Sequence, residues 1–431
     1  MGTLKSHLIK GAVGSFALQV GFAILSFFNA VILARIMGAQ GYGAFANAMA
    51  WVSILVVPAT FGFGVLLVRD VSICRFQQLW SSLKGLLLFS NRFVLVISIS
   101  LVIVVAGVIY ILSSSTEWTE QYITLWIALP LVPLFAISNL HQSVIRGLEH
   151  VFIARFPGMI FRPGLLLIGI IIINIYWPYS LNAPMAMMAN VIAGLLTLVL
   201  TLLCLNKLLP IEVKGAMEEY DPRAWTRSAF SMMIYSGSQI VFGQTDIIML
   251  GVMRTPEEVG LYAAATRLAF LLTYVTVANE LIMAPIVSRL YANGENGQLQ
   301  RILTKSARAS FAVNLPVAIL LIIFGEQILN IFGGEFSVAK NVLIILTVGR
   351  LLDVACGSSA LLLSMTGHER YVANVYTGAA FANVLLNFML VSLYGIEGAA
   401  VATIISLVTA KLVLSICAYQ KVGQRSAIIW V

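Results

Sequence analysis

The feature that most restricts the fold of this chain is a series of long apolar runs that recurs from one end to the other. Each run is about as long as the ~20 apolar residues that a helix needs to cross a bilayer. The runs are continuous, whereas the strands of an outer-membrane barrel alternate apolar and polar residues. The pattern predicts an all-α polytopic membrane protein with twelve transmembrane helices. Their expected positions are 11–34, 43–68, 86–112, 122–145, 152–176, 184–206, 228–252, 258–284, 309–331, 338–364, 371–393 and 396–419.

The low charge content indicates that the surface faces lipid. Charged residues make up 10% of the chain and hydrophobic residues 60%, with a mean hydropathy of +0.96. A soluble domain has about 25% charged residues, so the charges here are too few to cover a soluble protein of this size. The first run, 11–34, is longer than the ~7–15-residue core of a signal peptide. We therefore expect it to be retained as a membrane helix.

The distribution of basic residues predicts how the helices are oriented. With the N-terminus in the cytoplasm, twenty of the 26 Lys and Arg residues fall in segments at the inner face, and only Arg35, Arg254 and Lys340 fall in outer segments. Because cytoplasmic loops collect Lys and Arg, we expect a multi-pass protein with both termini in the cytoplasm. The same rule explains the net charge of +8, so no nucleic-acid partner is expected.

A pattern repeated at half the chain length predicts two similar halves. The stretch Asn29–Gly43 lies between the first two runs, and Asp246–Gly260 lies between the seventh and eighth runs, 217 residues later. Six spans in each half is an even number, so both halves enter the membrane in the same direction. We expect two six-helix bundles related by a pseudo-twofold axis along the membrane normal.

The longest inner linker falls at the midpoint of the chain and indicates the boundary between the bundles. It carries Pro210 and Pro222 among several acidic residues. We predict an N-terminal bundle at 1–208, a cytoplasmic linker at 209–226 and a C-terminal bundle at 227–431.

Motifs that would indicate an enzyme are absent from the sequence. It contains no G-x-S-x-G, H-E-x-x-H or Walker A pattern, and only four histidines. None of the four cysteines pair in a C-x-x-C spacing, so neither a disulfide framework nor a metal site is expected. We predict a protein that is not an enzyme and needs no cofactor. Uphill movement of a substrate would have to use an ion gradient or a downstream sink.

Charged residues inside the predicted spans point most directly to a functional site. A charge at the centre of a bilayer costs about 2.5–3.5 kcal/mol on insertion scales, so such residues face the interior of a bundle and are functional candidates. All six lie in the second half of the chain. The basic residues, which are candidates for substrate contacts, are Arg267, Arg350 and Lys411, and the acidic residues, which are candidates for ion coupling, are Asp246, Glu280 and Asp353.

Structural interpretations of the same charges remain open. Arg350 and Asp353 are three residues apart on one helix and could neutralise each other. Lys411 could extend toward the inner face, and Glu280 lies near the inner boundary of its span. Arg267 could belong to an ion pair rather than to a substrate cavity.

The first spans of both halves also carry polar stripes. Gln239 and Asp246 are seven residues apart in span 7, and Gln19 lies on a polar face of span 1 with Asn29 close beside it. This spacing fits the lining of a substrate cavity, and it also fits hydrogen bonds between helices. A buried carboxylate such as Asp246 suits a site for a coupling proton or cation.

Three short motifs resemble those of a known family. The stretch A-R-I-M-G-A-Q-G-Y-G-A-F, Ala34–Phe45, is similar to the L-A-R-x-L-G-x-x-x-Y-G signature of Wzx-type oligosaccharide flippases. The stretches T-G-H-E-R, Thr366–Arg370, and Y-G-I-E-G-A-A-V-A-T, Tyr394–Thr403, resemble the second-half pattern of that family. The family belongs to the multidrug/oligosaccharidyl-lipid/polysaccharide exporter superfamily. The resemblance covers the whole chain in topology, and its motifs are structural.

The resemblance implies a specific function. Such proteins move an oligosaccharide linked to undecaprenyl diphosphate from the cytoplasmic to the periplasmic leaflet of the inner membrane, by alternating access, for O-antigen, lipopolysaccharide or another surface polysaccharide. Besides the lipid bilayer, the polysaccharide polymerase and the chain-length regulator would be partners. Arg267, Arg350 and Lys411 could supply the cationic wall of a central cavity that accepts the diphosphate. A lipid II flippase would have fourteen spans, so a peptidoglycan precursor is not expected.

Two other function classes remain as alternatives. A cation-coupled multidrug or metabolite antiporter of the same superfamily would share the fold and favour acidic sites. This chain has three basic and three acidic intramembrane residues, so their charges do not distinguish an antiporter from a flippase. The family motifs favour the flippase. A membrane polysaccharide polymerase or ligase would need an outer loop with catalytic residues, and the predicted outer loops are short.

Overall fold

The computed structural model describes residues 2–113, 119–176 and 181–424, and within these ranges the chain folds into helices without a β-strand. This confirms the predicted all-α class. The helices of the first half are α1 Gly2–Thr60, α2 Phe63–Phe76, α3 Trp80–Ser113, α4 Glu120–Ala128, α5 Leu131–Gly147, α6 Val151–Phe156, a π-helical turn Pro157–Phe161, α7 Arg162–Tyr176, α8 Ala183–Leu208 and α9 Ile211–Gly215. Those of the second half are α10 Pro222–Met253, α11 Pro256–Ala269, α12 Leu271–Ala292, α13 Asn296–Ile323, α14 Gly325–Leu329, a 3₁₀ helix Gly334–Ala339, α15 Lys340–Ala355, α16 Ser359–Met365 and α17 Glu369–Val422.

Many of these helices are long enough to span a membrane. Within the described residues eight helices are long and apolar enough to cross a bilayer, or nine if the bent pair Gly334–Ala355 and Ser359–Met365 forms one span. Two of the eight, Phe16–Thr60 and Glu369–Val422, contain 45 and 54 residues. Each is about twice the ~20 residues that one crossing requires, or more, and each bends within its length. The fold is therefore consistent with the twelve predicted spans.

Both long helices bend at a glycine with positive φ. Gly38 in α1 has a φ of 68° and Gly395 in α17 a φ of 57°. This region of backbone space is open to glycine and strained for most other residues. The motif Ala34–Phe45 thus contains the break between the first two predicted spans.

Charged side chains satisfy the backbone groups beside these two breaks. At the first break, the backbone N–H of Ala39 donates to Oε1 of Glu335 at 2.6 Å. At the second, the guanidinium of Arg254 donates to the carbonyl oxygens of Val391 and Ser392 at 2.7 and 2.9 Å. A backbone group left without a partner in an apolar environment is costly. Glu335 and Arg254 therefore stabilise the bent conformations.

The chain divides into two compact units. One contains Met1–Asn29 and Ala44–Ile240, and the other contains Ala30–Gly43 and Val241–Val431. In the first unit α5 packs against α2, α3 and α8, and in the second unit α15 packs against α11, α13 and α17. The predicted bundle boundaries at residues 208 and 227 stay a prediction.

A reciprocal glycine contact lies within the second unit. A Cβ atom added to Gly43 would come within 1.7 Å of the carbonyl oxygen of Pro256, and one added to Gly260 would come within 2.0 Å of the carbonyl oxygen of Ala39. The members of each pair, Gly43 and Gly260 or Ala39 and Pro256, are 217 residues apart. The contact is therefore symmetric at the offset of the sequence repeat.

Candidate functional site

A buried carboxylate lies where three helices of the second unit meet. Asp246 on α10 has 7% of its surface exposed. It accepts hydrogen bonds from the hydroxyl of Tyr262 at 2.7 Å, from Nδ2 of Asn387 at 3.0 Å and from Oγ1 of Thr403 at 2.5 Å. Tyr262 lies on α11, whereas Asn387 and Thr403 lie on either side of the Gly395 break in α17. The carboxylate thus joins α10 and α11 to both arms of the bent helix.

All three donors to Asp246 are uncharged. Arg350 is close enough to interact with the carboxylate electrostatically, but no ion pair to Asp246 occurs among the described residues. A buried charge is tolerated when it is hydrogen-bonded, and three donors meet this need. A carboxylate held in this way can exchange a proton or a cation for its donors, so ion coupling by Asp246 stays a prediction that the geometry permits.

A second group of charges forms an ion pair. Nζ of Lys411 on α17 lies 3.1 Å from Oδ1 of Asp353 on α15, and their side chains are 9% and 12% exposed. Glu280 on α12 is near enough to interact with both. The side chain of Arg350 instead lies over the ring of Phe270, with Cζ 4.6 Å from the ring centre. Asp353 is therefore neutralised by Lys411 rather than by Arg350. The side chain of Lys411 is buried between α15 and α17 and does not extend to a membrane face.

The remaining charged candidate, Arg267, has a different environment. Its side chain is exposed on α11, beside the hydroxyl groups of Tyr42 and Tyr274. Because this guanidinium is exposed, an anionic ligand can reach it beside the Tyr42 hydroxyl, whereas Asp246 and Lys411 are buried.

The three polar candidates of the first unit are placed differently from one another. Gln239 is exposed on α10 and Gln19 is half-buried on α1. Asn29 is buried, and its Nδ2 donates to the carbonyl oxygens of Leu25 and Pro163, each at 2.9 Å. Asn29 therefore connects α1 to the start of α7, as a helix-to-helix hydrogen bond would. Its use as a cavity residue stays a prediction.

The first unit contains a basic cavity that the sequence analysis missed. A cavity of about 380 Å³ is lined by parts of α1, α5, α6, the π-helical turn, α7 and α8. Three arginines line it and no acidic residue does. The lining residues are Phe22, Phe135, Ser138, Asn139, Gln142, Arg146, Arg155, Gly158, Met159, Arg162, Gly194 and Thr197. We refer to this cavity as the arginine cavity.

Helical spacing explains how these side chains converge. Ser138, Gln142 and Arg146 are four residues apart on α5 and share one face. Arg155 and Arg162 are seven residues apart on either side of the π-helical turn, a feature often found at functional sites. A polar stripe on span 4 followed by two arginines seven residues apart was therefore visible in the sequence. The sequence pattern alone does not single these arginines out, because they lie at the inner ends of predicted spans, where cytoplasmic loop charges are also expected.

No metal-binding group of three or more His, Cys, Asp or Glu residues occurs in the ranges that the structure describes. The four cysteines are all free.

Comparisons with known proteins agree with a transporter fold. The family model described as "Polysaccharide biosynthesis protein" matches residues 8–291, and the MatE model matches residues 228–389. The probable low-salt glycan biosynthesis flippase Agl15 of Haloferax volcanii is 26% identical over 93% of this chain and 81% of its own length.

Solved structures match over nearly the whole chain. An inward-facing multidrug resistance MATE family transporter of the MOP superfamily matches with a TM-score of 0.76 and 13% identity, covering 96% of this chain and 98% of the other. The lipid II flippase MurJ in an inward closed conformation matches with a TM-score of 0.66 and 14% identity, covering 95% and 87%. At these identities the matches show a shared fold.

Proposed function

Because the chain belongs to the polysaccharide biosynthesis protein family, we propose that it is a flippase that moves a lipid-linked oligosaccharide from one leaflet of the membrane to the other. The observation that carries the proposal is that the chain is 26% identical, over 93% of its own length, to a probable glycan biosynthesis flippase. A buried polar network inside apolar helices adds physical support, because charged and polar groups are costly in a membrane and those that are present usually have a function.

The substrate in this proposal is an oligosaccharide linked to undecaprenyl diphosphate, carried from the cytoplasmic to the periplasmic leaflet of the inner membrane with both termini in the cytoplasm. It would supply O-antigen, lipopolysaccharide or another surface polysaccharide, and a polymerase with its chain-length regulator would take up the product. The transport step makes and breaks no covalent bond, so it needs no catalytic group and no cofactor.

The proposed mechanism is alternating access in which α17 changes its bend. Asp246 accepts hydrogen bonds from both arms of this helix. A proton or cation on the carboxylate would weaken these bonds, and a change of bend at Gly395 would follow. Arg350 and Lys411 stay proposed members of the cationic wall, while Glu280 and Asp353 stay proposed ion-coupling residues.

The role proposed for Arg267 is contact with the diphosphate or an acidic sugar during passage. In a strain that lacks this gene, a plasmid copy should restore surface polysaccharide, and the Arg267→Ala copy should restore much less. Arg289→Ala, which removes another exposed arginine of the second unit, is the matched control and should behave as the wild type. Normal polymer from Arg267→Ala at normal protein level would remove Arg267 from the site.

A second candidate function is cation-coupled export of a drug or metabolite. The match of the MatE model to residues 228–389 favours it, because that segment holds Asp246, Glu280 and Asp353. An antiporter would protect cells from cationic drugs and leave surface polysaccharide unchanged on deletion. Loss of polysaccharide with unchanged drug sensitivity supports the flippase, and the reverse result supports the antiporter.

A further inference from the structure

The arginine cavity has the composition of an anion site. Arg146, Arg155 and Arg162 contribute three positive charges to the lining, which includes no Asp or Glu. None of the three takes part in an ion pair among the described residues. Arg146 and Arg155 are also close enough to interact electrostatically, and like charges repel. An anion between them would attract both guanidinium groups and offset this repulsion.

Two buried polar groups in the cavity have no hydrogen-bond partner. One Nη atom of Arg146 donates to Oγ of Ser143 at 2.7 Å, but its Nε is buried without a partner. Oγ of Ser138, which is 5% exposed, is also buried without a partner. Buried polar groups are normally hydrogen-bonded, and each exception calls for a ligand or another cause. Both groups line the cavity.

The orientation of one guanidinium is set by an aromatic ring. Cζ of Arg162 lies 4.4 Å from the centre of the Phe135 ring, a cation–π contact that limits its rotation. Guanidinium groups bind phosphate through paired N–H···O bonds. Because three of them converge, the cavity suits a group with several phosphoryl oxygens better than a single carboxylate. Its volume of about 380 Å³ is at the lower end of the ~300–1,000 Å³ of small-molecule sites, which suits a headgroup.

An apolar groove lies between α7 and α8, which are two of the helices that line the arginine cavity. It has a volume of about 320 Å³ and begins one turn beyond Arg162 on α7. On α8 its lining reaches Ala193 and Leu196, which neighbour Gly194 and Thr197 of the cavity in sequence. The full lining is Leu165, Gly169, Ile172, Ile173, Met185, Met188, Ala189, Ile192, Ala193 and Leu196. Leu165 lies one turn from Arg162 on α7, and Ala193 lies one turn from Thr197 on α8, so the groove borders the cavity along both helices. A basic cavity with an apolar groove beside it matches a molecule with an anionic head and a hydrocarbon tail.

We propose that the arginine cavity and this groove together bind a polyprenyl diphosphate, with the diphosphate between Arg146, Arg155 and Arg162 and the prenyl chain between α7 and α8. This site rests on the proposed function and specifies where the lipid carrier is held in the first unit. The predicted topology puts the arginine end near the cytoplasmic face, so the site would load the substrate before it crosses. Arg267 on the second unit would contact it later.

Binding to the purified full-length protein tests this site. The probe is radiolabelled undecaprenyl diphosphate in detergent micelles, with inorganic pyrophosphate and phosphatidylglycerol as competitors. The wild type should bind the probe, pyrophosphate should compete and phosphatidylglycerol should compete poorly. Each of Arg155→Gln and Arg162→Gln should raise the Kd about tenfold, the loss expected for one charge-assisted hydrogen-bonding group. Arg162→Lys, which keeps the charge, should lose less, and the exposed control Arg69→Gln should match the wild type.

Substitutions in the groove test whether the site binds a lipid-linked diphosphate or free diphosphate. Met188 and Ile192 are 53% and 58% exposed, so changing them should leave the fold intact. Met188→Gln/Ile192→Gln should weaken binding of the lipid probe and leave pyrophosphate binding unchanged. Equal lipid binding by this variant would show a site for free diphosphate and would overturn the proposal. So would normal probe binding by Arg155→Gln/Arg162→Gln.

A transport measurement on the same proteins separates this site from the proposed function. Wild-type transport together with normal probe binding by Arg155→Gln/Arg162→Gln refutes the site and leaves the flippase standing. Probe binding that depends on these arginines, in a protein that moves no lipid-linked oligosaccharide, supports the site and refutes the flippase.

Discussion

Replacing Lys411 by methionine should destabilise the second unit more than replacing its ion-pair partner, Asp353, by asparagine. Nζ of Lys411 lies 3.1 Å from Oδ1 of Asp353, and both side chains are nearly buried. Glu280 also interacts with this lysine. Removing the lysine therefore leaves two carboxylates close together without a cation, whereas Asp353→Asn leaves the lysine with Glu280 as a partner.

The size of the effect follows from the geometry. At 3.1 Å and an effective dielectric constant of about 20, the attraction within the pair is about 5 kcal/mol. Most of this offsets the cost of desolvating both ions, and removing one partner of a buried pair typically costs about 3–5 kcal/mol. We expect Lys411→Met at the upper end of this range and Asp353→Asn below it. The double change Lys411→Met/Asp353→Leu removes both charges of the pair, so Glu280 no longer faces a like charge from Asp353, and most of the loss should be recovered.

Thermal unfolding of the purified variants in detergent measures this order. The apparent Tm should be highest for the wild type and only slightly lower for the double variant. It should be lower for Asp353→Asn and lowest for Lys411→Met. A double variant as unstable as Lys411→Met would refute the argument, because the loss would then come from packing rather than from an unpaired charge. So would a Lys411→Met protein as stable as the wild type.

Three further changes test other parts of the structure. Gly260→Ala, whose Cβ would lie 2.0 Å from the carbonyl oxygen of Ala39, should cost at least about 1–3 kcal/mol by overpacking; Gly378→Ala, which meets no atom within 4 Å, is its control in the same unfolding assay. Asp246→Leu leaves three buried donors without an acceptor at about 1–3 kcal/mol each and should fold poorly, whereas Asp246→Asn should fold and lose transport; full surface polysaccharide from Asp246→Asn would exclude ion coupling there. Glu335→Ala should lower the apparent Tm by leaving the N–H of Ala39 unpaired, while Glu335→Gln keeps an acceptor and should restore it.

The fold class could be predicted from composition and run length because both are properties of single helices. Twelve apolar runs require helices in a membrane. The sequence repeat matched Gly43 to Gly260, but the reciprocal contact around these two glycines came only from the structure. The breaks at Gly38 and Gly395 fall between predicted spans, but the sequence does not show which glycine adopts the positive φ, because glycine is frequent in membrane helices.

Partners of the charged residues could not be predicted, because helical periodicity relates residues only within one helix. Lys411 and Asp353 are 58 residues apart, and Asn387 and Asp246 are 141 residues apart. The local rule instead suggested Arg350 as the partner of Asp353. The arginine cavity was missed for another reason. A count of positive charges on one side of the membrane does not tell a solvated loop arginine from Arg162, which lies against an aromatic ring inside the first unit.

The most direct test of the proposed flippase is a leaflet assay in proteoliposomes. Undecaprenyl-diphosphate oligosaccharide with a labelled sugar is placed in both leaflets, and an impermeant glycosidase outside removes label only from the outer one. With the wild-type protein, the protected half should become accessible with time, while liposomes without protein should keep it. Label that stays protected to the same extent in both preparations, with the protein folded and inserted, would contradict the proposed function.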